Sequence, residues 1–145
     1  MRTRVFNGKE QIFCEWRHRW VRLTPEEWVR QQLLHRLVEQ LGYPASLIAV
    51  EVPLEKISCY RLPNTNKQRC DAVVYNNAMQ PLLLIECKAE TVSLTQQTLD
   101  QAVTYNRLLD VPYLLLHNGR QSVFVTVASS SVSFSGMIPN YADIV

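Results

Sequence analysis

No run of eighteen apolar residues occurs in this sequence, and its opening, MRTRVFNGKE, has no hydrophobic stretch of the kind that begins a secreted chain. Neither a membrane span nor a secretory signal is expected, so the cytoplasm is the expected address. The four cysteines, Cys14, Cys59, Cys70 and Cys87, form no C-x-x-C pair and have no histidines at zinc-site spacing. Reduced thiols are therefore expected. A G-x-x-x-x-G-K-[ST] phosphate loop is missing too, so no nucleotide-driven motor is expected within these residues. Internal repeats, low-complexity segments and linkers are likewise not found. With 145 residues, 47% of them hydrophobic and only four glycines, the chain can bury one core but not two. One domain spanning 1–145 is expected, divided into a basic arm at 1–23, a core at 24–127 and a tail at 128–145.

Charge is what the first segment has in excess. Residues 1–23 hold six basic and two acidic side chains, against nine and eleven in the remainder. Arg17, Arg19 and Arg22 interleave with Trp16 and Trp20, a mixture that could meet phosphates and bases. An edge hairpin with packed aromatics and solvated arginines explains it as well, and is the reading taken for the arm. A second basic stretch, YRLPNTNKQR, carries Arg61, Lys67 and Arg69 with no acid, and its turn-forming composition predicts a mobile loop.

The rest of the chain is punctuated clearly. Thr24, Pro25 and Glu27 form a capping box ahead of a helix over about 25–41, closed by Gly42, with Trp28, Leu34, Leu37, Val38 and Leu41 as its buried stripe. SLIAVEVPLEKI, CDAVVY and PLLLIECKA read as strands. Ser93 and Gln96 suggest a second capping box, opening a helix with Leu99, Ala102, Val103 and Leu109 at helical spacing. VPYLLLH and SVFVTV flank Asn118-Gly119 as a hairpin. The order helix, three strands, helix, two strands predicts an α/β fold, a mixed sheet flanked by helices with one right-handed crossover.

Within PLLLIECKAE, strand alternation sends Glu86 and Lys88 to one face and Cys87 to the other, into the core. Pairing CDAVVY with LLLIEC about the midpoint of their loop sets Tyr75 opposite Leu82, Val73 opposite Leu84 and Asp71 opposite Glu86. Two carboxylates roughly 5 Å apart across strands ordinarily destabilise a sheet, so a cation is expected between them. Lys88 offers part of that charge. Hard oxygens beside substrate phosphate also suit Mg²⁺, with Mn²⁺ as a substitute.

Asp71 followed by Glu86-Cys87-Lys88 resembles the D…(D/E)-x-K signature of the PD-(D/E)XK nuclease superfamily, whose restriction-endonuclease-like αβββαβ core has this element order. LTPEEWVRQQLL, LGYPASLIAVE, RCDAVVY, LLLIECKAE and QAVTYN resemble, more closely, the N-terminal nuclease domain of type I restriction enzyme R subunits in a stand-alone bacterial form, over about residues 12 to 125. The resemblance implies metal-dependent hydrolysis of DNA. It implies metal ligation by Asp71, Glu86 and the Cys87 backbone carbonyl, with Glu27 as the helix-one glutamate approaching the metal. It also implies that Lys88 positions and helps deprotonate the attacking water, although beside two carboxylates it could serve instead as an orienting donor. Gln101 and Tyr105 fit the Q-x-x-x-Y element of RecB-like relatives. Position 70 is Cys where the superfamily's name has proline.

Arg30, Lys67, Arg69, Gln101 and Tyr105 are the expected nucleic-acid contacts, and DNA is the expected partner. A separate restriction or helicase-type subunit and a homodimer are compatible partners, but nothing in the sequence fixes the oligomer. Blander explanations stand beside these. Asp71, Glu86 and Lys88 could be a cross-strand salt-bridge cluster worth up to about 1 kcal/mol. Glu27 already has its capping role, and His117 reads as a turn-flanking residue. The whole domain could be an inactive nucleic-acid-binding or assembly module that keeps the fold.

Overall fold

Thr24 begins the first helix where its spacing predicts. Its hydroxyl accepts from the Glu27 N–H at 3.0 Å, Pro25 occupies the first turn, and Gly42 closes the helix at φ +74°, a left-handed conformation that only glycine adopts without strain. This helix, α1, spans Pro25–Leu41. The computed structural model describes residues 1–57, 69–127 and 131–145. Arg61, Lys67 and Cys59 lie outside the described residues, as do the side chains of Tyr105 and Leu108.

The buried stripe of α1 differs from the expected one. Trp28 is 38% exposed, and the positions that face inward are Glu27, Val29, Arg30, Gln31, Leu33, Leu34 and Leu37, with Val38 and Leu41 partly buried beside them. The reason is that the first turns bury polar residues at helical spacing. Glu27, Arg30, Gln31 and Leu34 follow the i, i+3, i+4, i+7 rhythm, but a search for apolar residues passes over the first three.

One six-stranded sheet organises the rest: β4 (Ile48–Pro53), β5 (Arg69–Tyr75), β6 (Pro81–Cys87), β7 (Tyr113–His117), β8 (Ser122–Val127) and β9 (Val132–Ser135), hydrogen-bonded in that order. Among the described strands only β6 and β7 run parallel, joined by α2 (Gln96–Leu109). The predicted helix, three strands, helix, two strands order is therefore present, extended by one further strand, β9. α1 packs on one face with Val74, Leu83, Ile85 and Leu115, and α2 on the other with Val73, Leu84, Leu114 and Leu116. Leu33, Leu34 and Leu37 are at most 1% exposed, so truncating any of them to Ala would cost about 2–5 kcal/mol.

The β5–β6 register is the expected one through Ala72↔Ile85, Val73↔Leu84 and Val74↔Leu83. It slips at a bulge, so Tyr75 lies opposite Pro81 and not Leu82. Ser93 is not the cap of α2. Thr95 is, accepting from Thr98 N–H at 3.2 Å, which starts the helix at Gln96. Both residues are suitable caps, and the chain uses the one nearer the first apolar helical position, Leu99.

The arm is a three-stranded antiparallel sheet rather than a hairpin: β1 (Thr3–Phe6), β2 (Lys9–Cys14) and β3 (Arg19–Arg22). Ile12 and Cys14 are fully buried. Arg17, expected in solvent, turns inward. The tail is also more than a loose connection: β9 extends the sheet, and Ile138 and Ile144 enter the α1-side core. Two tyrosines secure it, Tyr43 Oη donating to Pro139 O at 3.0 Å and Tyr141 Oη to Tyr75 O at 3.2 Å.

Candidate active site

The centre is built at one end of β4, β5 and β6. Glu86 lies one residue beyond the Ala72↔Ile85 pair, as Asp71 does on the other strand, so the register that buries Val73 and Leu84 brings the two carboxylates together. Asp71 Oδ2 accepts from Cys87 N–H at 2.7 Å, which fixes the carboxylate against β6. Glu86 and Lys88 line one cleft of about 550 Å³ together with Arg69, Cys70, Gln101 and Asn106. Cys87 faces away into the α1-side core at 3% exposure, as alternation predicts. Burial and the nearby Asp71 carboxylate push its thiol far above the ordinary range, which removes it as a nucleophile.

Electrostatics at this end disfavour the charged form of both carboxylates. Burial, then repulsion from Asp71, pushes Glu86 up to about 8, outweighing Lys88. Burial also raises Asp71, overcoming the Cys87 N–H and the Arg30 guanidinium. Glu26 adds repulsion to both carboxylates. It lies one residue from the expected Glu27 and lines a second groove, of about 350 Å³, with Asp71, Arg22 and Arg30.

Glu27 itself is 5% exposed and held by Arg17 Nη2 at 2.6 Å, Arg30 Nη2 at 2.5 Å and Gln31 Nε2 at 3.0 Å. Burial opposes its ionisation, but hydrogen bonds from Arg30 and Arg17 prevail and depress its pKa. Arg30 continues the network to Asp71, with Nη1 3.5 Å from Oδ1 and 3.4 Å from the backbone oxygen. Glu51 joins from β4, 3.3 Å from Arg17 and 3.6 Å from Arg30. It does so by breaking strand alternation. Its φ is +54°, and around it Val50 packs on the α1 side while Val52 packs on the α2 side.

The family described as type I restriction enzyme R protein N terminus (HSDR_N) matches residues 25–139. The chain belongs to this family. Among solved structures it resembles the fragment structure of a protein described as an HsdR subunit of a type I restriction enzyme from Vibrio vulnificus YJ016. The TM-score is 0.57 at 14% identity, covering 84% of this chain but 24% of that one, so the likeness concerns fold alone. No curated protein matches. The HSDR_N match takes in α1, both helix-bearing faces of the large sheet, Asp71, Glu86 and Lys88, and leaves β1–β3 outside.

Within the HSDR_N span, Asp71 lies near Glu86 and Lys88 but lines the groove of Glu26 and Arg30, whereas Glu86 and Lys88 line the other cleft. Gln101 and Arg69 reach the same cleft, where Arg69 Nη1 donates to Glu51 O at 3.1 Å. Arg30, expected at nucleic acid, is 7% exposed and paired with Glu27. Lys67 and the Tyr105 side chain lie outside the described residues. Three participants were not anticipated: Glu26, Glu51 and Asn106. Asn106 donates from Nδ2 to Val111 O at 2.7 Å while its buried Oδ1 has no partner among the described residues. Its polar identity inside the apolar stripe of α2 was the available signal.

Among the described residues, no group of three or more His, Cys, Asp or Glu side chains is disposed to hold a metal ion, nor is any helix long and apolar enough to cross a membrane. Two carboxylates short of a counter-charge do suit an ion such as Mg²⁺, which keeps several waters and takes only one or two protein carboxylates beside a phosphate.

Proposed function

We propose that this domain hydrolyses DNA phosphodiester bonds in a divalent-metal-dependent reaction centred on Asp71, Glu86 and Lys88. The observation that carries this reading is the cross-strand meeting of Asp71 with Glu86. Burial and then the neighbouring Asp71 carboxylate push Glu86 up to about 8, at the mouth of a cleft that also holds Lys88. In this reading Asp71 and Glu86 hold Mg²⁺ or Mn²⁺, with the Cys87 carbonyl as a further ligand. Glu27 could join only if released from Arg17 and Arg30. The ion supplies charge neutralisation at the phosphoryl oxygens. Cys87 N–H keeps Asp71 aimed, Lys88 orients the attacking water, and Arg69 and Gln101 hold the backbone of the nucleic acid along the cleft. Lys67 and Tyr105 complete that contact set. The domain works in the cytoplasm, alone or beside a separate restriction or helicase-type subunit, and two copies would serve two DNA strands.

One arrangement favours a second reading. Arg30 already reaches Asp71, and a third acidic ligand is missing among the described residues. A module of this fold that binds nucleic acid or assembles with partners without turnover is compatible with both. The purified chain, incubated with plasmid, linear duplex and single-stranded DNA in Mg²⁺, Mn²⁺ or chelator, separates the two. Divalent-dependent cleavage lost in Asp71→Ala, Glu86→Ala and Lys88→Ala supports hydrolysis at this centre. Binding that persists in chelator, without cleavage and indifferent to Glu86→Ala, supports the second reading. Cleavage unaltered by all three substitutions overturns the assignment of the centre.

A further inference from the structure

Pairing within the arm sheet sorts its side chains onto two faces. Ile12 and Cys14 point inward. The outward face then carries every residue in register with Phe13: Trp20 directly opposite it on β3, Gln11 with Arg22, Arg4 with Gln11, and Phe6 with Lys9. Arg2 joins through its carbonyl, which accepts from Phe13 N–H at 2.9 Å. Four cations and three aromatic rings thus share one solvent-facing surface that contains no carboxylate.

Each ring has a guanidinium over it, and Phe13 and Trp20 are partly buried. Phe6 is 51% exposed. Phe13 and Trp20 meet edge to face at 5.5 Å, Arg2 lies over Phe13 at 4.1 Å, and Arg4 over Trp20 at 4.3 Å. Exposed planar guanidinium groups and partly exposed rings both present flat, polarisable faces, on which unpaired bases stack while neighbouring cations neutralise phosphates. Duplex DNA cannot use such a surface fully, because its base faces are already stacked on one another. Arg22 ties the platform to the rest of the molecule: it also lines the groove whose wall includes Glu26 and Asp71. This surface lies outside the 25–139 family match and differs from the set read from sequence, since Arg17 pairs with Glu27 instead.

We infer that the outward face of β1–β3 is a docking platform for single-stranded DNA, which it feeds past Arg22 toward the groove at Asp71. The choice of DNA rests on the function proposed above; the single-stranded preference rests on the guanidinium groups and partly exposed rings of this face. The test is fluorescence anisotropy of the full chain with labelled dT20 in EDTA, where no hydrolysis is needed, across a salt series, beside a 20-base-pair duplex and U20. Expected are binding that weakens with salt, dT20 preferred over duplex, and a loss of about tenfold in Arg2→Gln/Arg4→Gln and in Trp20→Ala, with Trp20→Phe restoring most of it. Circular dichroism checks the fold, and the exposed arginine pair tests the face even if Trp20→Ala loosens the sheet. Equal affinity for duplex and dT20, together with indifference to the arginine pair and to Trp20→Phe and Trp20→Ala, overturns the platform. U20 bound more than tenfold tighter than dT20 overturns the commitment to DNA. The two proposals fail separately. A chain that binds dT20 through this face but cuts nothing removes the hydrolytic reading alone, and one that cuts while its binding ignores this face removes the platform alone.

Discussion

The backbone N–H of Cys87 donates to Asp71 Oδ2 at 2.7 Å, so the strand that carries Glu86 also aims the carboxylate facing it. Asp71→Asn keeps an acceptor oxygen for this N–H but no charge, whereas Asp71→Ala leaves the N–H unpaired. Both should lower metal-dependent cleavage on the order of 100-fold or more. Urea unfolding should separate them, with Ala the less stable by about 1 kcal/mol. Equal stability would mean the bond contributes nothing to the fold.

Glu86, raised to about 8 from its ordinary 4.5, keeps a proton in the folded chain that the unfolded chain releases. Stability should therefore fall as pH rises through that interval. Glu86→Gln should flatten this slope and melt higher than the parent at pH 8–9. Mn²⁺ binding should release about one proton near pH 7, read by calorimetry in buffers of different ionisation heat. Buffer-independent heats would argue that no carboxyl proton is displaced.

Glu27 has the opposite sign. Its depressed pKa contributes stability that is present above about 4.5 and lost as pH falls through the lower folded value. Glu27→Ala strands two buried guanidinium groups and should cost about 3–5 kcal/mol at neutral pH. Glu27→Gln should cost less, and its deficit should narrow in acid. Thermal melts from pH 3 to 7 read both.

At Glu51 the backbone and the side chain pull in different directions. Glycine would relieve the φ of +54° while giving up both arginine contacts, and alanine would give up the contacts and keep the strain. Glu51→Gly should therefore be more stable than Glu51→Ala by about 1 kcal/mol in urea unfolding. The reverse order would show the conformation to be unstrained.

How much of this was legible depended on whether local chemistry decided it. Thr24, Pro25, Glu27 and Gly42 carry their own start and stop instructions, so α1 could be bounded to the residue. A two-residue alternation and a short loop sufficed to place Asp71 beside Glu86. Tertiary context decided the rest. Nothing near Arg17 announces that a carboxylate ten residues away will draw it inward, nor does anything near Ile138 and Ile144 signal the core they enter. The capping box singles out Glu27 in sequence, but only packing shows that two arginines hold it while Glu26 lines the same groove beside it.

Arg30 touches Asp71 while sharing Glu27 with Arg17, and Arg17 belongs to the turn that joins β2 to β3. Anything that shifts that turn from the small sheet would therefore pull, through two shared arginines, on an aspartate of β5, next to the edge strand of the large sheet.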